Sequence, residues 1–452
     1  MRILLTGGTV LTCDGEGRVY SAGSIAIEGT RIVSIGEGSP GVFPADLTID
    51  CSKCFITPGL VNCHVHLGEQ LLKGVLEDAD FQGLFYTALF RWESELTPDL
   101  VRRASLAAAV DSLRCGVTTV ADMYHHAEAT AQAVEEVGIR ALLGQKVLGF
   151  SLAAPPQSVG EGASYRFDRG SFREQLAAAC EFADRRNGTA QGRITTSLSP
   201  HATNTLEPWM LEEVAEAADV RSARVHMHLA QMESEREEVR ARYGMGCGEL
   251  LDKVGLLGPQ LLAAHSIFLS ESEIALLAAR RSAVAHNPVA NAKDGGLVAP
   301  VERFVEHNVT VGLGTDAFHM SVLETARFAC YLHRVLHGDA SFPSAPQVLA
   351  WATREAARAV GLEGSIGSLE VGKCADLVVW DMGPLSATPC RDPSATLLYH
   401  AGPANVSMVM VNGQQVLVER EVQTVDAAQV EVDFALAAQE MRRRIRATGG
   451  VR

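Results

Sequence analysis

Residues 57–66 read TPGLVNCHVH, a Pro-Gly step followed by a short apolar run and two histidines that lie one residue apart. Such a run is typical of a buried strand, and alternate residues of a strand point to the same side. We therefore expect His64 and His66 to project together from the end of one strand. What they would bind depends on the residues that the rest of the fold brings beside them.

Outward from this stretch, apolar strand patterns alternate with helical patterns from about residue 59 to residue 365. An example is VTTVADMY (117–124) followed by HAEATAQAVEEVG (126–138). No Gly-rich nucleotide loop follows the first strand, which argues against a doubly wound sheet. The repeated strand-then-helix units predict an α/β fold, a (β/α)8 barrel of the TIM type over residues 59–365.

Both ends of the chain carry short strand patterns and predict a second, smaller unit. Residues 1–58 hold strands separated by Gly-rich turns, such as GSIAIEGTRIVSIG (23–36). Residues 366–452 return to strands, such as VSMVMVNGQQVLV (406–418), and finish on a charged helical segment. We expect the two ends to complete each other as one satellite β-sandwich beside the barrel.

The length of 452 residues fits one barrel-sized domain and one smaller domain. The formal net charge of −15 comes without a basic patch, so we expect no nucleic-acid partner and no binding to an anionic membrane. The start, MRILLTGGTVLT, has a strand pattern instead of that of a signal peptide. The sequence contains no apolar run of about eighteen residues, so we expect no membrane-spanning helix.

Ten cysteines, scattered and mostly within apolar runs, predict reduced thiols in a cytoplasmic protein. Cys51 and Cys54 have the spacing of a zinc or redox pair, but no second pair with matching spacing follows them. We therefore expect both to be core thiols.

Polar side chains recur where the predicted barrel strands end. In such a barrel the active-site residues come from the carboxyl ends of the strands. The residues at these positions are His64, His66, His228, His265 and Asp316. Any one of these histidines alone would be typical of a hydrogen-bonded core residue. Three imidazoles and a carboxylate around an open position predict a catalytic zinc or iron site.

Three further histidines have a plainer interpretation. His226 shares a face with His228 but lies two residues deeper in its strand, so we expect it to pack or to hydrogen-bond a ligand. His125 and His126 follow another strand end, and there we expect a surface loop.

Eight motifs follow one another along nearly the whole chain: TPGLVNCHVH (57–66), GVTTVADMY (116–124), SPHATNTLEP (199–208), HMHLAQMESE (226–235), AHSIFLSESE (264–273), AHNPVANAK (285–293), VGLGTDA (311–317) and ATREAARAVGLEGSIGSLEVGKCADLVVWD (352–381). In sequence and in order they resemble the amidohydrolase superfamily. The resemblance is to its branch of metal-dependent aminohydrolases and chlorohydrolases, which includes adenosylhomocysteine, guanine, 8-oxoguanine, pterin and triazine deaminases.

The resemblance implies that one divalent metal ion per chain, zinc by preference and iron as the alternative, is bound by His64, His66, His228 and Asp316. His265 would stand beside the metal and polarise the substrate or the attacking water. The segment GRITTSLSPHA (192–202) offers no match to the bridging lysine of two-metal members, so we expect a single ion. A water activated by the metal would lose its proton to Asp316 and attack an amidine-like ring carbon, with release of ammonia.

Gln231 departs from the pattern of the deaminases, which have a glutamate three residues after the histidine of the fifth strand. An amide cannot shuttle a proton at neutral pH. The substrate could need no such proton, Asp316 and His265 could carry out all proton transfer, or activity could have lapsed. Glu233 and Glu235 could substitute, although a favourable charge at the start of the next helix is the simpler role.

The predicted substrate contacts are His201, Gln70, Trp92 and His319. His201 matches the family histidine after the fourth strand, which reaches the substrate, and Gln70 and Trp92 lie in the long loop after the first strand. Helix packing is an equal alternative for Trp92. His319 replaces a small residue beside Asp316 and would narrow the pocket for a flat ring.

These patterns lead to the expectation of a metal-dependent hydrolytic deaminase of an amino-substituted purine, pterin, pyrimidine or triazine. A hydrolase of a C–Cl or amide-type C–N bond is the alternative that Gln231 favours. The third possibility is a barrel that binds a metal without catalysis. The convergence of five polar groups on one mouth argues against it. The expected partner is a small-molecule substrate, and the resemblance implies a homodimer or a higher homo-oligomer.

Overall fold

The computed structural model describes residues 1–39, 41, 43–75, 88–159 and 162–447. Within them, eight parallel strands form one sheet in which each strand pairs with the next along the chain. The barrel strands are β6 (Leu60–Val65), β7 (Val117–Tyr124), β8 (Arg140–Val147), β11 (Ile194–Pro200), β12 (Arg224–Leu229), β13 (Leu261–His265), β14 (Ala283–His286) and β15 (Thr310–Leu313). A bridge between Val65 and Asp316 joins the last strand to the first, which confirms the predicted barrel.

Helices follow the barrel strands and cover them from outside, and further helices follow the C-terminal strands of the satellite sheet. They are α1 (Pro98–Arg114), α2 (Ala127–Val137), α3 (Arg169–Arg186), α4 (Pro208–Arg221), α5 (Glu233–Tyr243), α6 (Cys247–Lys253), α7 (Glu271–Arg280), α8 (Pro288–Lys293), α9 (Val301–Glu306), α10 (Val322–His337), α11 (Ala345–Ala352), α12 (Arg354–Ala359), α13 (Gly383–Ala387), α14 (Pro393–His400) and α15 (Ala427–Ala447). Short helical turns cover Leu67–Leu72, Thr189–Gly192 and Pro403–Asn405. Several helices start where the sequence supplies a capping side chain: Thr97 accepts from the amide of Leu100, and Ser270 from that of Glu273.

The barrel strands are buried on both faces, as expected of a parallel sheet covered by helices. All eight residues of β7 are buried, and so are all five of β13. Polar side chains recur at the carboxyl ends of several of these strands, among them His64, His228 and His265. The carboxyl ends of parallel strands meet at one mouth of the barrel, where these side chains come together.

Strands from both chain ends form the second unit, as predicted. They are β1 (Arg2–Leu11), β2 (Val19–Glu28), β3 (Arg31–Glu37), β4 (Leu47–Asp50), β5 (Cys54–Pro58), β16 (Leu377–Asp381), β17 (Val406–Val411), β18 (Gln414–Val418) and β19 (Glu421–Val422). Their hydrogen bonds join them into one mixed sheet, in which β16 pairs with β5. Its core packs residues from both ends, including Ile3, Ile25 and Met408. A small hairpin, β9 (Gln157–Val159) and β10 (Gly162–Ser164), stands apart.

The satellite sheet meets the barrel at the amino ends of the barrel strands. The chain passes from β5 to β6 at Gly59, where a Cβ atom would lie 2.0 Å from Oγ1 of Thr118. Arg140, the first residue of β8, forms a buried ion pair with Asp376, just before β16; Nε lies 2.8 Å from Oδ2. This close contact fixes the two units against each other.

Two further expectations concern cysteines and membranes. All ten cysteines, Cys51 and Cys54 included, are free thiols. Among the helices of the described ranges, none has the length and apolar character needed to cross a bilayer.

Candidate metal centre

The barrel mouth brings the predicted ligands together. Nε2 of His66 lies 3.4 Å from Oδ1 of Asp316 and 3.3 Å from Nε2 of His228. Nε2 of His64 lies 3.5 Å from the same carboxylate oxygen. The four side chains come from β6 and the residue directly after it, from β12 and from the segment after β15, so only the closed barrel makes them neighbours.

The outer nitrogens of the histidines are held by hydrogen bonds. Nδ1 of His66 donates to the carbonyl of Met123, and Nδ1 of His228 donates to the carbonyl of His201, each at 2.9 Å. A carbonyl can only accept, so both rings carry the proton on Nδ1 and a lone pair on Nε2. This arrangement is typical of imidazole ligands.

His226 makes the hydrogen bond that its depth in the strand predicted. Its Nε2 lies 2.9 Å from Nδ1 of His64, and its ring is fully buried. It therefore orients His64 from behind, as the carbonyls orient the other two rings.

The mouth fits a divalent cation. Nε2 of His64 and Nε2 of His265 are buried without a hydrogen-bond partner among the described residues. Burial, followed by the neighbouring imidazoles, lowers the pKa of His228 well below its ordinary value, and burial does the same for His66. These rings are therefore neutral and can donate lone pairs, and one carboxylate completes the set of ligand atoms.

His265 lies at the same mouth, with a ring nitrogen within 4.8 Å of ring nitrogens of His64 and His228. Nδ1 of His265 lies 2.8 Å from Oδ1 of Asn291, and its Nε2 lies 3.7 Å from Oδ2 of Asp316. Burial lowers the pKa of His265 to about 4, so the ring is neutral near pH 7. Burial disfavours the ionised form of Asp316, but the neighbouring His64 and the other imidazoles around the carboxylate hold its pKa below the ordinary value.

The backbone is strained at the mouth. His265 has φ of 71° and Asp316 has φ of 60°, the left-handed region that non-glycine residues rarely adopt. The amides of Thr315 and Asp316 both donate to the carbonyl of His64, at 3.1 and 2.9 Å. Gly314 is required beside them, because a Cβ there would lie 2.2 Å from Oδ1 of Asn287. Strain held by such contacts is typical of functional sites.

Gln231 lies two residues beyond β12, and its backbone N–H donates to Oε2 of Glu235 at 2.9 Å. Glu235 is fully buried and also accepts from the amide and hydroxyl of Thr203. Glu233 forms a surface pair with Arg236. Both glutamates lie in the first turn of α5, where a negative charge is favourable, and both make structural contacts there.

The four predicted substrate contacts fall into two groups. His201 is buried with its ring centroid 4.8 Å from that of His228, and Gln70 is buried in the turn directly after His66. Trp92 instead lies in an apolar cluster with Leu71 and is 2% exposed. The structure therefore favours the packing role for Trp92.

His319 is bound within its own loop. Its Nε2 lies 2.9 Å from Oγ1 of Thr325, and its Nδ1 accepts from the amide of Ser321 at 3.4 Å. Both contacts hold the start of α10. The half-buried ring of Phe318 packs beside Nζ of Lys293, 4.9 Å from the ring centroid.

The expectation that His125 lies in a surface loop is wrong. Its ring is buried, and Nε2 lies 2.9 Å from Oε2 of Glu93. The other carboxylate oxygen of Glu93 lies 2.6 Å from Nζ of Lys146, which is also buried. Burial raises the pKa of Glu93, but Lys146 and His125 outweigh it and hold the carboxyl ionised. His126 is half-buried and contacts the carbonyl of Leu96.

Lys146 and Glu93 were missed by the sequence reasoning. Lys146 is the last residue but one of β8, so the rule that polar residues at strand ends line the mouth points to it. Burial lowers the pKa of His201 most, and the positive charge of Lys146 lowers it further. Glu93 lies in helical residues 88–93, far from any strand end, and no pattern singles it out.

The sequence matches a known protein family and is similar to named enzymes. The sequence model of the amidohydrolase family matches residues 55–416. The chain is 38% identical over 432 residues to a 5-methylthioadenosine/S-adenosylhomocysteine deaminase from Desulforudis audaxviator, a match that covers 94% of this chain and 96% of the other. It is 33% identical over 449 residues to a 5'-deoxyadenosine deaminase from Methanosarcina barkeri, with 98% and 99% covered.

Two solved structures share the whole architecture. A zinc-bound adenosine deaminase from Xanthomonas campestris superposes with a TM-score of 0.89 at 29% identity, and the match covers 98% of each chain. A zinc-bound atrazine chlorohydrolase from Arthrobacter aurescens superposes with a TM-score of 0.84 at 24% identity, covering 96% of this chain and all of the other. The second likeness bears on the fold alone.

Proposed function

We infer that the chain, which belongs to the amidohydrolase family, is a metal-dependent hydrolase that removes an amino group from a nitrogen heterocycle and releases ammonia. The observation that carries this proposal is the convergence of four imidazoles and one ionised carboxylate at the barrel mouth. Relatives that match nearly the whole chain are named as deaminases of adenosine derivatives. Within the heterocycles, we therefore propose an aminopurine nucleoside.

The metal ligands in this proposal are His64, His66, His228 and Asp316, and the ion is zinc. Support for zinc comes from the all-nitrogen-and-oxygen ligand set and from the zinc in the Xanthomonas campestris deaminase. When bound, the ion supplies a Lewis acid that makes water a nucleophile near neutral pH.

The remaining steps belong to the side chains of the chain. Asp316 is ionised, so its carboxylate can accept the proton of the attacking water. His265 is fixed by Asn291 and can hydrogen-bond the developing charge on the substrate or pass on a proton. His201 packs beside His228, and Gln70 lies in the turn after His66, where both would contact the heterocycle.

An ammonia assay with metal analysis of the same preparation tests the proposal. The panel comprises 5'-deoxyadenosine, 5'-methylthioadenosine, guanine, a pterin and an aminotriazine. We expect ammonia from the adenosine derivatives and loss of activity when a chelator removes the metal. Bound metal without ammonia from any compound would contradict the deaminase assignment.

Gln231 favours a second candidate, a hydrolase that does not deaminate. With an amide at this position, departure of a halide is easier than departure of ammonia, because a halide leaves without a proton. Release of chloride from a chlorotriazine without release of ammonia would support this candidate. In the deaminase, Gln231→Glu should raise turnover of aminopurines, about 10-fold or more, whereas Gln231→Leu should not.

Assembly and location complete the proposal. We propose a homodimer or a higher homo-oligomer, supported by exposed apolar side chains on α10, where Val335 is 83% exposed. We also propose a cytoplasmic protein, supported by the free thiols. Light scattering on the eluted protein measures the first, and fractionation of the source cells the second.

A further inference from the structure

A second group of metal-ligating side chains lies on the helical wall, apart from the mouth. It consists of Glu302 on α9 and of His333 and His337 on α10. One ligand atom from each lies within 4.8 Å of the others. His333 and His337 are four residues apart and so share one face of α10, and their rings stack with centroids 5.9 Å apart.

His333 contributes a buried atom that lacks a partner. The residue is fully buried, and its Nε2 lies 3.2 Å from Nε2 of His286, the last residue of β14. Its Nδ1 has no hydrogen-bond partner in the described part of the chain. A buried polar atom without a partner destabilises the fold, because it has lost its hydrogen bonds to water and gained none in return. A cation that accepts the lone pair of Nδ1 would remove this cost, with the His286 contact orienting the ring from behind.

His337 and Glu302 form the outer side of the group. Nε2 of His337 lies 3.1 Å from Oε2 of Glu302, and about a quarter of each side chain is exposed, 27% and 29%. An ion could therefore enter from solvent and keep a water as a further ligand. The arginines next in sequence make their contacts elsewhere: Arg303 pairs with Glu271, and Arg334 donates to the carbonyl of Pro343.

We propose that Glu302, His333 and His337 form a second binding site for a divalent transition metal ion, zinc by preference. Two imidazoles four residues apart on a helix, with a carboxylate from a neighbouring element, match the ligand types and spacing that zinc accepts. The ion would link α9 to α10 and so tie together two helices of the barrel wall. This site is independent of the chemistry at the mouth.

Zinc stoichiometry tests the site. Protein stripped by a chelator is dialysed against buffered zinc, and bound metal is measured for the wild type, His337→Gln and Glu302→Gln. We expect each variant to bind one ion fewer per chain than the wild type. Zinc should also raise the Tm of the wild type more than that of His337→Gln, because only the former gains the link between helices.

His307 provides a matched control, since its Nε2 pairs with Oε1 of Glu271 at 2.6 Å on the same wall but without a second histidine. His307→Gln should bind as many ions as the wild type. Equal stoichiometry in the wild type and in His337→Gln would overturn the proposal. Ammonia release by His337→Gln should stay at the wild-type level, so a failure of this site and a failure of the deaminase assignment give different results.

Discussion

Both ends of the barrel bury ionisable side chains, but the two ends differ in how these side chains are paired. At the base, Arg140 and Asp376 are satisfied: Nη2 lies 3.0 Å from Oδ1, Nη1 donates to the carbonyl of Gly192, and the amide of Asn412 donates to the carboxylate. At the mouth, Nε2 of His64 and of His265 has no such partner among the described residues. At the base, other groups of the protein supply the hydrogen-bond partners. At the mouth, two ring nitrogens remain available to bind a ligand.

Backbone strain follows the same division. Arg140 lies within a regular strand, while His265 and Asp316 have positive φ. Strain and unpaired polar atoms destabilise a fold, and they persist at sites where binding of a ligand offsets their cost. Elsewhere in a fold, regular backbone and paired polar groups are the rule. Substitutions at the mouth should therefore reduce turnover, and substitutions at the base should reduce stability.

The largest effect is expected for Asp316→Asn. The amide is a poor base and a poor ligand, so kcat for ammonia release should fall about 1000-fold or more. Measurement of kcat alongside the Tm separates this loss from unfolding. Near-normal turnover in this variant would refute the role of Asp316.

Asp376→Asn should reduce stability at the base of the barrel and leave turnover at the mouth unchanged. It leaves the buried charge of Arg140 without its counter-charge, which costs about 3–5 kcal/mol of the free energy of unfolding. Urea unfolding measures the loss, and the kcat of the protein that stays folded should be unchanged. Glu213→Gln is the control, because its partner Arg173 is 56% exposed and the pair should contribute less than about 1 kcal/mol.

Asn291→Ala should loosen His265 and lower kcat about 10- to 100-fold, as loss of an orienting partner commonly does. Asn291→Asp keeps an acceptor oxygen for Nδ1 of His265 and should restore part of the rate. KM should change less than kcat if the role is positioning. Equal activity of the alanine and aspartate variants would show that the hydrogen bond is dispensable.

The smallest expected effect concerns pH. Burial raises the pKa of Asp122 from 3.8 to about 7, and its Oδ2 accepts from the amide of Leu67. Between these values the folded protein binds more protons than the unfolded chain, so this carboxyl lowers stability as the pH rises from about 4 to about 7. Asp122→Asn should flatten that dependence in urea unfolding series, whereas Asp219→Asn on the surface should leave it as it is.

Much of the mouth was predictable because strand geometry is local and periodic. Alternation placed His64 and His66 on one side of β6, and the same rule separated His228 from His226. The common end of parallel strands then brought His265 and Asp316 to them. These inferences needed no knowledge of loop conformation.

The sequence predictions fail for residues whose positions depend on contacts between segments that are distant in the sequence. The position of His125 depends on Glu93 and Lys146, which come from a helical segment and another strand. Trp92 shares an apolar cluster with Leu71 and with Leu100 of α1, a set of contacts that periodicity does not reveal. Buried ion pairs between remote segments leave no pattern in a single sequence, so the cluster around Glu93 was invisible.

Stepwise return of zinc to stripped protein tests the central claim most directly, with ammonia release from 5'-deoxyadenosine measured at each step. We predict that the metal-free protein is inactive, that activity rises with zinc, and that it stops rising once the mouth is filled. Full activity without metal, or zinc binding at the mouth without any ammonia, would contradict the account.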